Sequence, residues 1–282
     1  MAAAVDPAVT LYAGQGYLAP IRVMPEAAAL AMHAALEQVR GLQPDRAEAA
    51  FGTNCHLLFP SLYDLALDPT VLRAVEPILG PDILLWTASM FAKPAGSGSY
   101  VSWHQDSTYW GLEPPDIVTA WIALTPSTEE SGCMRVVPGS HRWGQLDHRD
   151  GFAEANMLSR GQEVQVAVDE DRAVDIVLSP GEMSLHHVRI IHGSKPNRAA
   201  HPRVGFAARY IPTSCRQRGG RTFAVPARGV DRFGHFDIPP RPDAPMSEAA
   251  WAAREEAVRR LNAVLMAGAA QDSRVAGHRP LT

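Results

Sequence analysis

The sequence predicts an all-β core of the sandwich or barrel class, with helices flanking it on both sides. Between residues 82 and 213, short runs rich in Val, Ile, Trp and Phe recur at intervals of roughly ten residues, and Pro, Gly, Ser and Asn separate them. The flanking segments are instead rich in Ala and Leu, with Pro or Gly at their ends, which is typical of helices. Double-sheet jelly rolls are a common member of this class.

Three helices are expected in the flanks. Residues 25–41 begin with Pro25 and end with Gly41, and residues 68–79 stop at a Gly-Pro pair. Residues 247–266 form an amphipathic pattern that Ser247 can cap. We therefore expect one domain over residues 1–282, with a mainly helical part (1–81), a jelly-roll core (82–213), and a loop with a C-terminal helix (214–282).

The expected strands follow one another through the core. In chain order their runs are DILLWTASMFA, IVTAWIAL, CMRVVPG, EVQVAV, VDIVL, MSLHHVRIIHG and RVGFAARYIP. Residues 216–245 hold many Arg, Gly and Pro without periodicity, which predicts a long loop.

Composition narrows the classes of partner. The chain has 26 basic and 30 acidic residues, a net charge of −4, and no long run of either sign, which argues against nucleic acid or a membrane surface as a partner. Its three cysteines, Cys55, Cys133 and Cys215, form neither a disulfide framework nor a metal knuckle. Without a secretory signal or an apolar membrane span in the sequence, a cytoplasmic location is expected.

The segment VSWHQDSTYW carries a candidate metal site. Alternate side chains of a strand share a face, so His104 and Asp106 are expected to point the same way. Two histidines and one carboxylate on one face hold the iron(II) of non-haem oxygenases, and the other positions stay open. Among eleven histidines, His192 ends a strand late in the β region. Arg203 follows eleven residues later and could hold a carboxylate bidentately.

Each of these residues also has a plainer explanation. An isolated His-x-Asp is most often a pair of surface residues, His192 alone would be a packed histidine, and Arg203 alone a solvated arginine. His186 shares a face with His192 if the run is one strand, and it could line the same pocket or simply pack. Trp110, Arg189 and Arg209, together with Tyr109, are further candidates for substrate contact.

The ordered set of motifs resembles the phytanoyl-CoA dioxygenase family of Fe(II)/2-oxoglutarate oxygenases. The resemblance runs from about residue 56 to residue 212 and comprises the blocks GPDILLWTASMFAKP, SWHQDSTYWGL, PPDIVTAWIAL, GCMRVVPGSH and HGSKPN, followed by an arginine. It implies a double-stranded β-helix, which is a cupin-like jelly roll. It also implies Fe(II), 2-oxoglutarate and O₂ as cofactors.

The resemblance assigns roles position by position. It implies iron ligation by three residues: His104, Asp106 and His192. It implies 2-oxoglutarate contacts from Arg203, Ser194, Trp121 and Ser89. A further contact, often a lysine in the family, lies upstream, where this chain has Asn54 or His56.

The implied reaction is hydroxylation or desaturation of a small-molecule metabolite, with succinate and CO₂ as co-products, in a secondary pathway. Related halogenases lack the carboxylate of the His-x-Asp motif, so Asp106 favours hydroxylation over chlorination. Two alternatives remain at this stage: a jelly-roll metalloenzyme that does not use 2-oxoglutarate, and a non-catalytic binding module. The substrate and the oligomeric state are not encoded in any motif of the sequence.

Overall fold

The computed structural model describes residues 6–108, 110–151, 153–158 and 161–267. Its core consists of two antiparallel sheets, neither of which closes into a barrel. The major sheet has six strands in the order β1-β10-β5-β12-β2-β14, and the minor sheet has four in the order β3-β11-β6-β9. Two further pairs, β13-β4 and β7-β8, lie outside these sheets. This architecture, a β core with flanking helices, confirms the predicted fold class.

The elements have the following bounds. The helices are α1 Pro7–Gln15, α2 Glu26–Gly41, α3 Ala47–Ala50, α4 Pro60–Ala66, α5 Pro69–Leu79 and α6 Glu248–Ala267. The strands of the major sheet are β1 Tyr17–Arg22, β2 Ile83–Lys93, β5 Val118–Ala123, β10 Glu182–His187, β12 Arg203–Pro212 and β14 Val225–Arg228. Those of the minor sheet are β3 Val101–His104, β6 Met134–Val136, β9 Val174–Ile176 and β11 His192–Ser194. The short pairs are β4 Leu112–Glu113, β7 His148–Arg149, β8 Glu163–Val164 and β13 Arg216–Gln217.

The central strand β12 separates the helical layer from the cavity between the sheets. It pairs in continuous register with β5 on one side and with β2 on the other, where the register shifts once, between Arg209 and Tyr210. Because alternate side chains point to opposite faces, Phe206, Ala208 and Tyr210 pack in the core cluster beneath the helices. Ala207 packs on the opposite face with residues of the minor sheet. The face that Ala207 shares with Arg203 and Arg209 is therefore the one available for a site.

The three predicted helices are all present. Pro25 precedes α2, and the Asp68 carboxylate accepts a hydrogen bond of 2.6 Å from the Thr70 amide at the start of α5. The Ser247 hydroxyl accepts one of 3.2 Å from the Ala250 amide at the start of α6, as its capping role predicts.

Several strand predictions were wrong in detail. The helical N-terminal part contributes β1 to the edge of the major sheet, and the predicted loop 216–245 contains β13 and β14. Short edge strands leave little periodicity to detect, and β1 and β14 each contain a proline that only edges tolerate. The run EVQVAV contains only the two-residue β8, and MSLHHVRIIHG divides into β10 and β11, which belong to different sheets. That residues 1–282 form one domain stays a prediction.

In the described part of the chain, no helix combines the length and apolar character needed to cross a membrane.

Candidate metal centre

His104 and Asp106 come together through a strand end and not through strand alternation. His104 is the last residue of β3, and Asp106 begins a short 3₁₀ turn, Asp106–Thr108. The Asp106 amide donates a hydrogen bond of 3.0 Å to the Val188 carbonyl, which fixes the turn. The prediction that both residues lie on one strand was wrong, yet His104 Nε2 and Asp106 Oδ1 lie 3.3 Å apart.

His192 completes the cluster from the neighbouring strand. It faces His104 across the β3–β11 ladder, and the two ring centroids are 4.1 Å apart. His192 Nε2 lies 3.9 Å from Asp106 Oδ1, and one ligand atom from each of the three residues lies within 4.8 Å of the others. Adjacent ligands of an octahedral ion are about 3 Å apart at metal–ligand distances near about 2.1 Å. A small contraction of this cluster would let the three atoms share one ion.

Backbone contacts orient both imidazoles. His104 Nδ1 lies 2.9 Å from the Ser102 carbonyl, and His192 Nδ1 lies 3.0 Å from the Ile190 carbonyl. Because a carbonyl oxygen only accepts, each Nδ1 carries the hydrogen and donates it. Each Nε2 then presents its lone pair towards Asp106, which is the tautomer that a metal ligand needs.

The protonation states also suit a cation. Burial alone would raise the pKa of Asp106, but the adjacent His104 and His192 imidazoles and the Arg209 guanidinium outweigh it and hold that pKa well below its usual range. Burial, assisted by His104, lowers the pKa of His192 to about 4. At neutral pH the group therefore offers an ionised carboxylate and a neutral imidazole. Two imidazoles with one carboxylate form the donor set of a non-haem Fe(II) site, so the residues fit that ion.

The cluster borders a cavity between the two sheets. Six residues of the predicted site are among those described as lining it: His104, Asp106, Trp121, His192, Ser194 and Arg203. His186 lines it as well, although it lies on β10 and not on the strand of His192. The centroids of the His186 and His192 rings are 5.1 Å apart.

Arg203 is a buried cation without an acidic partner in the described part of the chain. It is 4% exposed, its Nε donates a hydrogen bond of 3.2 Å to the Ser127 hydroxyl, and its guanidinium carbon lies 4.3 Å from the Trp121 ring centroid. Burial lowers its pKa to about 10, so it stays charged at neutral pH. An uncompensated charge at this depth is costly, which is expected where an anionic ligand completes the site.

Sequence reasoning missed two residues that shape this end of the cavity. Lys93 is fully buried opposite Arg203, and its ammonium donates a hydrogen bond of 2.7 Å to the Ser194 hydroxyl and another to the Lys195 carbonyl. Burial and the charge of Arg203 lower the pKa of Lys93 to about 7. A lysine at the end of an otherwise apolar strand was the available signal. The other residue is Gly205, since a Cβ there would collide with the Trp121 ring.

The remaining predicted contacts are not among the residues that line the cavity in the described part of the chain. The Ser89 hydroxyl accepts a hydrogen bond of 3.0 Å from Arg209. The Asn54 amide oxygen accepts one of 2.8 Å from the Thr87 hydroxyl. His56 is buried against Tyr63, with ring centroids 6.3 Å apart. Ser89, Asn54 and His56 are absent from the described lining, so their direct contact with a cosubstrate stays a prediction.

The weaker candidates for substrate contact are distributed unevenly. Arg209 lines the cavity, and its guanidinium carbon lies 5.3 Å from the centroid of the Trp110 ring. Arg189 is not among the described lining residues, and Tyr109 lies outside the described residues.

The jelly roll and its His–Asp–His cluster define the class of non-haem iron oxygenases, and comparison with known proteins gives the family. The model of the phytanoyl-CoA dioxygenase (PhyH) family matches residues 12–205. The chain belongs to the phytanoyl-CoA dioxygenase family, as the sequence motifs predicted.

Three relatives illustrate the similarity. A probable alpha-ketoglutarate-dependent hypophosphite dioxygenase of Stutzerimonas stutzeri is 32% identical over 163 residues, which cover 55% of this chain and 56% of that protein. The peroxisomal phytanoyl-CoA dioxygenase of Homo sapiens is 28% identical over 151 residues, covering 52% of this chain and 45% of that protein. The structure of the non-heme monooxygenase ThoJ in its apo form superposes with a TM-score of 0.85 at 31% identity, covering 94% of this chain and 99% of ThoJ.

The chain spans about half the length of the curated relatives it matches. The predicted cofactor set of Fe(II), 2-oxoglutarate and O₂ is confirmed by the dioxygenase family, by the relative that depends on alpha-ketoglutarate, and by the three-residue cluster.

Proposed function

We propose that this protein is an Fe(II)/2-oxoglutarate-dependent dioxygenase that hydroxylates a small-molecule metabolite. The observation that carries the proposal is that the His–Asp–His cluster and the Arg203 guanidinium line one cavity. Among the described residues, this guanidinium has no acidic partner and donates its Nε hydrogen bond to the Ser127 hydroxyl. A metalloenzyme that did not use a keto-diacid would have no need of that guanidinium. The overall reaction converts substrate, 2-oxoglutarate and O₂ into hydroxylated product, succinate and CO₂.

In this proposal His104, Asp106 and His192 hold the ion. When bound, Fe(II) would activate O₂, with 2-oxoglutarate supplying two electrons through its oxidative decarboxylation. The chain's own part is to present two imidazoles and one carboxylate from a single edge of the minor sheet, where the cluster borders the cavity. The carbonyls of Ser102 and Ile190 keep the two imidazoles in the required tautomer.

The Arg203 guanidinium is proposed to bind the distal carboxylate of 2-oxoglutarate. Trp121 lies against the guanidinium, and both residues line the cavity, so the guanidinium is placed where it could bind a carboxylate. Ser194 is held by Lys93 and offers a hydroxyl beside the same end. Ser89, and either Asn54 or His56, are proposed as further contacts of 2-oxoglutarate, as the family resemblance implies.

Asp106 supports hydroxylation over halogenation because it occupies the third protein position of the cluster. The outcome could still be desaturation, in which the substrate loses two hydrogens and gains no oxygen. The relative from Stutzerimonas stutzeri is named for hypophosphite, a small and polar substrate. We propose that the substrate of this protein is a small metabolite too. We also propose that the protein works in a reducing cytoplasm, since Cys55, Cys133 and Cys215 are buried free thiols.

The first experiment adds Fe(II) and 2-oxoglutarate to the protein without oxygen and records the visible spectrum. We expect a weak metal-to-ligand absorption band, and then succinate once O₂ is admitted. The variant Arg203→Gln should raise the concentration of 2-oxoglutarate needed for half of the band at least tenfold, because a bidentate ion pair is lost. Arg198→Gln, at an exposed site, is the matched control. A folded wild-type protein that gives neither band nor succinate contradicts the proposal and favours a metalloenzyme that does not use 2-oxoglutarate.

A screen of metabolites for added succinate formation would then identify the substrate class. Mass spectrometry separates the two outcomes, because hydroxylation adds one oxygen and desaturation removes two hydrogens.

A further inference from the structure

A row of polar side chains crosses the major sheet beside the metal cluster. The registers of β10, β5 and β12 place His186 opposite Thr119, and Thr119 opposite Arg209. The row continues to Thr87 on β2. Directly opposed residues of antiparallel strands project from the same face, so these four side chains stand side by side.

Three members of this row have polar atoms without a partner. His186 Nδ1, Thr119 Oγ1 and Arg209 Nε are buried and make no hydrogen bond within the described chain. His186 is 2% exposed, Thr119 1% and Arg209 8%, and all three line the cavity. Thr87 does not line it, and its hydroxyl is bonded to Asn54. Within this row, the residues with unpaired groups are thus the ones that line the cavity, which is the expected arrangement if a ligand completes them.

The charge of Arg209 is not neutralised by a paired acid. Among the residues described, Asp106 is the acid that most opposes the effect of burial on the pKa of Arg209, and it makes no ion pair with Arg209. Its one hydrogen bond goes to the neutral Ser89 hydroxyl, and its guanidinium packs on Trp110. The cavity wall therefore carries a second uncompensated cation.

Arg209 and Arg203 serve different ends of the cavity. They lie six residues apart on the same face of β12, so their Cα atoms are about 20 Å apart at the rise of an extended strand. Arg203 is surrounded by Ser127 and Trp121, whereas Arg209 lies beside the row that reaches His192 through His186. A five-carbon dicarboxylate that bridges Arg203 and the metal makes no demand on Arg209.

We propose that Arg209, Thr119 and His186 bind an oxyanion group of the primary substrate and hold it beside the metal cluster. This inference rests on the proposed function and names its substrate class: a small acid, either a carboxylate or a phosphorus oxyacid. The guanidinium supplies charge and paired N–H donors, the Thr119 hydroxyl supplies a third donor, and the neutral His186 ring supplies a fourth.

The experiment is calorimetric titration of the anaerobic protein loaded with Fe(II) and 2-oxoglutarate, at constant ionic strength. The probes are butyrate, its neutral isostere butyramide, and hypophosphite. At least one anion should bind at least tenfold more tightly than butyramide, and comparing the two anions separates a carboxylate site from a phosphorus oxyacid site. Equal affinity for anions and amide, or no anion binding, overturns the proposal.

Variants test the residues separately. Arg209→Gln should weaken anion binding at least tenfold and abolish discrimination against the amide, and Arg209→Lys should recover part of both. Thr119→Val keeps the shape of the side chain and removes only an unpaired hydroxyl. It should weaken anion binding about threefold without lowering the melting temperature, so it remains informative even if the Arg209 variants fail to fold.

Thr87→Val is the matched control from the same row. It breaks the hydrogen bond to Asn54, so it should lower the melting temperature and leave anion affinity unchanged.

If Arg209→Gln instead weakens the binding of 2-oxoglutarate tenfold, as judged by the absorption band, Arg209 belongs to the cosubstrate site and the proposal is wrong. A missing band in the wild type would contradict the proposed function, whereas a normal band without anion binding contradicts this inference alone.

Discussion

At the scale of single residues, the site depends on polar groups kept in definite protonation states by burial. Burial lowers the pKa of His192 to about 4 and so keeps the ring neutral, and the Ile190 carbonyl accepts a hydrogen bond from its Nδ1. Arg203 remains a cation although it is buried. Burial of histidines also lowers the free energy of unfolding when the solution becomes acidic. His56 allows this loss of stability to be measured.

His56 should make the protein sensitive to acid. Burial lowers its pKa to about 3, whereas an unfolded histidine titrates near about 6.5. As the pH falls below about 6.5 the unfolded chain binds a proton that the folded chain does not, so stability falls. Between pH 7 and pH 5 this amounts to about 2 kcal/mol. In chelator-treated protein, His56→Phe should lose about 2 kcal/mol less than the wild type over that interval, measured by urea unfolding. Identical pH slopes would contradict the expectation.

The residues that could be found from sequence are those whose spacing is fixed by the motif. The order of the motifs along the chain marked His104, Asp106 and His192, which cluster in the structure, and Arg203, which lines the same cavity; their roles stay predictions. Lys93 was not marked in this way, since a lysine in a strand gives no indication of which neighbour its ammonium reaches. The partners of Ser89 and His56 likewise depend on packing between distant segments.

At the scale of elements, strand β12 organises the site. Its helix-facing residues anchor the core, as when the Tyr210 hydroxyl donates a 2.7 Å hydrogen bond to the Ala66 carbonyl. Its other face presents a large cation near each end, Arg203 and Arg209, with the small residues Gly205 and Ala207 between them. The small residues leave the space in which Trp121 and the cavity lie.

Gly205→Ala tests this arrangement. The added methyl group would overlap the Trp121 ring, so the indole must move away from Arg203. We expect a loss of about 1–3 kcal/mol in unfolding free energy, the usual cost of overpacking, and at least a tenfold weaker affinity for 2-oxoglutarate. Chemical denaturation and titration of the absorption band measure the two effects. Gly98→Ala, where an added Cβ meets no atom within 4 Å, is the control, and equal behaviour of the two variants would contradict the role of Gly205.

Element boundaries show why sequence periodicity succeeds in some places and fails in others. The long strands β2, β5 and β12 were predicted because extended apolar runs bury both faces. Asp106 was placed on a strand because HQD alternates, but the chain turns after His104 under the influence of a backbone contact with Val188. That contact comes from a segment more than eighty residues away, and no local pattern records it.

At the scale of the whole molecule, the two sheets contribute different parts of the site. The metal cluster comes from β3, the turn after it, and β11, all at one edge of the minor sheet. Arg203 and Trp121 come from β12 and β5 of the major sheet. A 2-oxoglutarate molecule bound to both the ion and Arg203 would therefore bridge the two layers.

Bridging makes the stabilisation by metal and cosubstrate interdependent. A ligand present at one hundred times its dissociation constant stabilises a protein by about 2.7 kcal/mol, which corresponds to a rise in melting temperature of about 5 °C for a chain of this size. Without the metal, 2-oxoglutarate retains only its contacts at the Arg203 end, so its effect at the same concentration should be below about 1 °C. Anaerobic thermal unfolding with Fe(II), with 2-oxoglutarate, with both, and with chelator measures this difference. Asp106→Ala should abolish the extra stabilisation, whereas Asp116→Asn, at an exposed site, should preserve it. If 2-oxoglutarate stabilised metal-free and metal-loaded protein equally, it would not bridge the two sheets through the ion.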